Sequence, residues 1–169
     1  MTDDELVVSF LNTRDRATGS DQLSSRDGVA AWGSTHDLLA AGAWVDAPDV
    51  EQARELRDGL NELVAGLGDG GLDASLARLP LAAWSEQGRV RLGSARGGAA
   101  DLPAGVVEAV LRLQAQGSWN RVKVCADPAC GRAFVDRSRN RSRHWCDMAT
   151  CGSRAKMRAL RRRAAARAA

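Results

Sequence analysis

The sequence has no tyrosine, only two phenylalanines and only two histidines. Histidine is the usual general base and tyrosine a common proton donor, so a catalytic site of the ordinary acid–base kind has little to be built from. No nucleotide-binding glycine loop, nucleophile elbow or zinc-hydrolase motif appears either. No apolar run approaches the roughly 18 residues that a bilayer span requires. A basic, apolar leader is missing as well, because the chain starts MTDDELVVSF and is acidic from its third residue. The expectation is a cytoplasmic protein with no membrane partner and no enzymatic activity. A carboxylate site in the N-terminal half is the alternative that keeps an enzyme open.

Hydrophobic residues make up 44% of the 169 and charged residues 27%, the balance of a folded chain rather than a disordered one. That length holds one ordinary domain, or a domain with a small appended module. The net charge of +3 is unevenly distributed. From Arg121 to Ala169 there are 14 Lys/Arg against 3 Asp/Glu, a net of +11, which leaves −8 on the first 120 residues. A basic end on an acidic body points to a module that binds a polyanion. Self-association between the two oppositely charged parts is the plainer alternative.

The pattern of apolar residues gives an α+β fold: a mostly helical N-terminal domain with a small sheet, and a small C-terminal module ending in a basic helix. ELVVSFLNTRD reads as an opening strand, and Ser24 or Ser25 caps a short helix to Trp32. Pro48 starts a helix carrying Ala53, Leu56, Leu60, Leu63, Val64 and Leu67, which GLGDGGLD stops. A short helix is expected from Ala74 to Trp84, interrupted by Pro80, and GRVRLGS reads as a strand. Asp101 and Pro103 open a further helix. RVKVC and RAFVD then look like a hairpin, and the chain is helical from Arg154 onward. The body spans residues 1–117 and the module residues 118–169.

All four cysteines lie in that module, spaced Cys125-x4-Cys130-x15-Cys146-x4-Cys151. Two pairs of thiolates on short loops supply the tetrahedral corners that Zn²⁺ prefers, and Pro128, Gly131 and Gly152 let the loops turn. With four protein ligands no position stays open on the ion, so one structural Zn²⁺ is expected. Buried free thiols, two local disulfides and an iron–sulfur cluster are the alternatives.

Between the cysteine pairs, Arg137, Arg139, Arg141 and Arg143 alternate with Ser138, Asn140 and Ser142, followed by His144. On an extended loop this period of two puts the guanidiniums on one side, where their forks match phosphate oxygens. A merely solvated basic loop is the alternative. In the last helix Arg154, Arg158, Arg161 and Arg162 fall on one face, Met157, Leu160 and Ala164 form an apolar seam, and Lys156, Arg163 and Arg167 lie beyond it. The seam is expected to dock on the zinc module while the basic face meets a groove or backbone. A membrane surface is the weaker alternative, because the seam is narrow and has no large aromatic.

The segment CADPACGRAFVDRSRNRSRHWCDMATCGSRAK, Cys125 to Lys156, resembles the CGNR-type zinc fingers of bacteria. LVVSFLNTRD, the helix around Trp32 and ARELRDGL resemble the ABATE domain usually joined to that finger, in a family described as stress-induced transcription regulators. The resemblance covers essentially the whole chain and implies a regulatory or dimerising body on a DNA-binding finger. Ser153 stands where the signature asparagine belongs, and His144 where arginine is usual. Neither is a metal ligand, and both lie where nucleic acid would be met, which implies an altered sequence preference.

The expected function is therefore a zinc-containing DNA-binding transcription regulator, with Arg137, Arg139, Asn140, Arg141, Arg143, His144, Arg154, Lys156, Arg158, Arg161 and Arg162 at the nucleic acid. RNA is a close alternative, although stacking aromatics are limited to Phe134, Trp119 and Trp145 near the module. An adaptor for an acidic protein is another. Asn12, Thr13, Arg14, Trp32 and Arg57 could line a pocket for a small-molecule effector. The plainer reading gives them to capping and core packing. A homodimer is the remaining partner expectation.

Overall fold

A computed structural model of the chain describes residues 1–68 and 71–168. The segment expected to open as a strand is instead helix α1, Asp3–Leu11. Glu5 reaches back to accept the Thr2 N–H at 3.0 Å, and Asp3, Asp4 and Glu5 sit at the positive end of the helix dipole. Leu6, Val7, Phe10 and Leu11 are buried, a stripe of helical rather than strand period. That burial outweighs the strand preference of Val7 and Val8.

Helix α2, Arg26–Thr35, starts at Ser25, whose hydroxyl accepts from Gly28 N at 3.1 Å. Helix α3, Ala47–Ala65, starts with Asp46 and Asp49 each accepting the other's backbone N–H at 2.9 Å, and it ends at Gly66 in the left-handed region (φ 69°). The expected helix from Ala74 to Trp84 is divided. Helix α4 covers only Leu72–Ala77, and Trp84 lies in strand β1, Leu81–Glu86. Pro80 cannot continue a helix, and Gln87 and Gly88, both at positive φ (49° and 75°), reverse the chain tightly into β2, Arg89–Ser94. Helix α5 spans Asp101–Ala115.

The two hairpins are separate antiparallel sheets. β1 pairs with β2 from Leu81↔Ser94 to Glu86↔Arg89, and β3 (Val122–Val124) pairs with β4 (Ala133–Val135) from Val122↔Val135 to Val124↔Ala133. Helix α6, Ser153–Ala168, closes the chain. The architecture is thus mixed helix and small antiparallel sheet, ending in a cysteine-bearing module, as the residue pattern implied.

One core joins α1, α2, α3 and α5, with Phe10, Leu56, Leu102 and Val106 fully buried. The β1–β2 hairpin rests on α5, while β4 lies along α1 and β3 along α3. Val122 and Ala133 belong to this same core. At the join, Asn12 holds Ala133 by both backbone groups: Asn12 Nδ2 donates to Ala133 O (3.0 Å), and Ala133 N donates to Asn12 Oδ1 (2.8 Å). Among the described residues no helix is long and apolar enough to cross a membrane.

Candidate metal centre and basic surface

The first cysteine pair is built by the β3–β4 hairpin. Cys125 N donates to Arg132 O (2.8 Å), and Cys130 N and Gly131 N donate to Asp127 O (2.9 and 3.3 Å). Gly131 adopts φ 62°, which folds the loop back so that both sulfurs face inward. The second pair flanks a turn that Asp147 starts, its carboxylate accepting from Thr150 N (2.7 Å) and Oγ1 (2.9 Å). A π-type turn over Met148–Gly152 then places Cys151 two residues before α6.

The four sulfurs lie within 4.8 Å of one another, with Cys130–Cys146 at 3.6 Å and Cys146–Cys151 at 3.8 Å. Four thiolates at Zn–S distances of about 2.3 Å around one ion are separated by about 3.8 Å along each tetrahedral edge. The donor set therefore fits a single zinc ion. No pair is close enough for an S–S bond, which is about 2.05 Å long. Sulfurs this close surround one ion, not a multi-iron cluster, whose irons would hold them further apart. Cys125, Cys130, Cys146 and Cys151 form a structural zinc site.

Burial pushes the Cys146 and Cys130 thiols up from their ordinary values. Burial also opposes ionisation of Cys151, but the Arg154 guanidinium at 3.1 Å and the Thr150 hydroxyl outweigh it and hold that thiol down. Zinc is bound by thiolates, so metal affinity is coupled to proton release.

Two buried aspartates organise the module, and neither was singled out from the sequence. Asp136 has no exposed side-chain surface. It accepts from Lys123 Nζ (2.6 Å), Ser138 N and Oγ (3.0 and 2.6 Å) and Arg143 N (2.9 Å). Burial alone would raise its pKa, yet these donors hold its carboxyl far below the ordinary range. Arg121 adds bonds to the Asp136 and Ser138 carbonyls (2.9 and 3.2 Å). Asp127 is equally enclosed and pairs with Arg154 (2.9 Å) and Arg158 (3.1 Å). Against the burial penalty, Ala129 N–H and these two arginines keep it ionised. The available signal was arithmetic: a segment with 14 cations has only three acids, and two of these lie in or beside the hairpin.

The expected alternation of arginines does not survive this knot. Ser138 to Asn140 form a turn and Arg141 takes φ 51°, so Arg137 to Arg143 do not share one side of an extended loop. Arg137 reaches Asp4 (3.5 Å) and Glu5 (3.8 Å) on α1. Arg143 bonds the Cys146 carbonyl (2.6 Å) and lies 5.2 Å from the centre of the Phe134 ring. The His144 carbonyl accepts from Ala126 N (2.8 Å), and its ring meets Trp145 edge-on. Arg139, Asn140 and Arg141 stay exposed at the turn, and Lys156, Arg161 and Arg162 stay exposed on α6.

The apolar seam of α6 is also not where it was expected. Arg154 and Arg158 face the module through Asp127, so Met157 and Leu160 turn to solvent, at 51% and 60% exposure. Charge pairing, rather than the seam, sets the rotation of the helix.

Of the residues considered for a pocket, Asn12, Thr13 and Arg14 line one cleft beside the module. Trp32 does not join them. It is buried against Phe10 (ring centres 5.3 Å apart) and stacks on His36 (4.0 Å). Arg57 is fully buried behind Thr13. Its Nη1 lies 3.4 Å from Thr13 Oγ1 and 2.6 Å from Asp21, and its Nε bonds Asp58 (2.9 Å).

The CGNR zinc finger family matches the chain over residues 121–164. This span starts just before β3, takes in all four ligands, and ends inside α6. No curated protein matches the chain.

Proposed function

We propose that the chain is a bacterial transcription regulator whose zinc module and α6 bind the phosphates of duplex DNA. The body formed by residues 1–117, which resembles the ABATE domain, would sense a signal or dimerise. One observation carries this reading. All three acids of the module are engaged internally: Asp127 and Asp136 are buried, and Asp147 caps the second cysteine turn. Meanwhile Arg139, Arg141, Lys156, Arg161, Arg162, Arg163 and Arg167 form no ion pair among the described residues and stand at the surface. A zinc-clamped support that buries and pairs two of its three acids while displaying these seven cations has the electrostatics of a polyanion binder.

The test is a salt titration of duplex binding by the zinc-loaded chain. With about four to six phosphates neutralised, log K against log salt falls with a slope of about −4 to −5. Deleting Arg161 to Ala169 leaves the Asp127 pairs intact and removes four arginines. It should flatten the slope by up to about 3.6 and weaken all sequences alike. Absence of binding at low salt would remove the proposal. The outward turn of Met157 and Leu160 favours a second reading, an adaptor that lays this seam on an acidic protein partner. A complex that persists at high salt without DNA would select it.

A further inference from the structure

We infer that the cleft between the body and the zinc module is a binding site for a small anionic ligand carrying a phosphate or paired carboxylate group. The cleft measures about 320 Å³, the size of a compact metabolite rather than a chain segment. One wall is the loop after α1, with Thr13, Arg14, Arg16 and Ser20. The other is the first zinc knuckle, with Cys130 and Arg132. Three guanidiniums from two parts of the fold therefore line one recess.

These guanidiniums have little else to bind. Arg16 and Arg132 form no ion pair among the described residues, and Arg14 has only a loose contact with Asp58 at 3.8 Å, across exposed side chains. The one carboxylate in the lining, Asp15, is turned into its own loop, where Oδ1 accepts from Ala17 N (2.7 Å) and Thr18 N (3.3 Å). Arg16, although exposed, lies across the knuckle glycine. A Cβ on Gly131 would fall 2.7 Å from Arg16 Cδ and 3.0 Å from Nε, so the side chain reaches the knuckle itself. A zinc tetrathiolate carries two formal negative charges, but of its sulfur ligands the cleft meets only Cys130, and Arg154 offsets part of the charge at Cys151. The remaining balance favours an anion. Arginine forks bind phosphate or carboxylate oxygens in pairs, and the Ser20 hydroxyl adds a donor for a third oxygen.

The position has a consequence for control. Asn12, which also lines the cleft, holds β4 through Ala133, and Arg132 lies between Ala133 and the zinc ligand side. A ligand held by Arg14, Arg16 and Arg132 ties the body to the first knuckle. The site stands independently of DNA binding, and its test contains no DNA.

The experiment titrates zinc-loaded full-length protein with pyrophosphate and, separately, with succinate, against sodium chloride at matched ionic strength. Binding is followed by calorimetry and by amide NMR shifts. Saturable binding of one equivalent, with shifts at residues 13–20 and 130–132, is expected; which probe binds more tightly identifies the phosphate or the carboxylate class. Arg16→Ala and Arg132→Ala should each weaken binding by about tenfold or more, as loss of a charge-assisted pair does. Arg162→Ala, on α6, should leave it unchanged. Zinc content and far-UV circular dichroism of each variant separate a lost contact from a lost fold, and Arg14→Gln gives a second reading at a residue distant in sequence from the metal ligands. No saturation beyond the chloride control overturns the proposal. So does a loss in Arg162→Ala equal to that in Arg132→Ala, which would mean diffuse attraction to a basic surface.

Discussion

Replacing Asn12 with alanine tests how the body grips the zinc module. Asn12 supplies both partners of Ala133, a residue only 2% exposed, so its amide leaves one buried N–H and one buried C=O without bonds when it is removed. Two lost bonds at about 1 kcal/mol each, plus part of the penalty for unsatisfied groups, give a loss of about 2–4 kcal/mol. Asn12→Asp separates the two contacts. It keeps an acceptor for Ala133 N but sets a carboxylate against Ala133 O, so it should also destabilise at neutral pH. The assay is urea unfolding at fixed excess zinc, because stability depends on free metal, with hydrogen exchange at the Ala133 amide as a local probe. A loss under about 0.5 kcal/mol with unchanged Ala133 protection would refute the clasp.

Three further outcomes are expected. Cys146→Ser, or a chelator, should abolish stoichiometric zinc and release the order of residues 125–152, as measured by metal analysis and NMR. The fate of the helical core under chelation reports whether residues 1–117 fold independently of 118–169. Asp21→Asn should cost about 3 kcal/mol at neutral pH, since it strips a partner from the fully buried Arg57. Burial opposes the Asp21 charge, but the Arg57 hydrogen bond, Leu23 N–H and the Arg57 and Arg54 charges win and hold its carboxyl below the ordinary range. Its stabilisation is therefore complete above about pH 4 and lost as pH falls through the depressed value, so the gap between wild type and Asp21→Asn should close in acid; a gap independent of pH would refute it. Gly131→Ala should weaken zinc binding and displace Arg16, since it combines a positive φ with a 2.7 Å approach; a competition titration with a zinc dye checks this.

The metal site was legible because its ligands form two short local pairs whose spacing is itself chemistry. Helix α3 was legible for a similar reason: Pro48, the apolar stripe and Gly66 mark its start, face and end. Helix α1 was misread because ELVVSFL satisfies a strand pattern and a helical one over so few residues. The Glu5 contact to Thr2 resolves it, and the burial of Leu6, Val7, Phe10 and Leu11 agrees. Strand β1 could not be read at all. Apart from the half-buried Ala82 it is exposed throughout, so no alternation marks it, and its hairpin turn uses Gln87–Gly88 instead of the more telling Asn–Gly. The arginine loop failed for another reason. Its shape is set by Asp136 through Lys123 and Arg143, thirteen and seven residues away, and no local period encodes such a knot.

Asp127 offers the sharpest test of how the module presents its charge. Its carboxylate joins the first zinc knuckle to α6, taking Arg154 and Arg158 while Ala129 N–H bonds Oδ1 at 3.3 Å. Asp127→Asn removes one negative charge from a basic surface. If attraction to phosphate were governed by net charge alone, the variant would bind duplex DNA more tightly. If the aspartate acts by fixing the helix, the opposite follows. The first turn of α6 loses its anchor, Met157 and Leu160 give it no apolar replacement because they face solvent, and the arginines beyond become a mobile set that must be ordered on binding. The expected result is unchanged zinc content, faster amide exchange in the first turns of α6, and weaker binding with nearly the same salt slope. Tighter binding with α6 still protected would show that the pair holds charge back rather than positioning it.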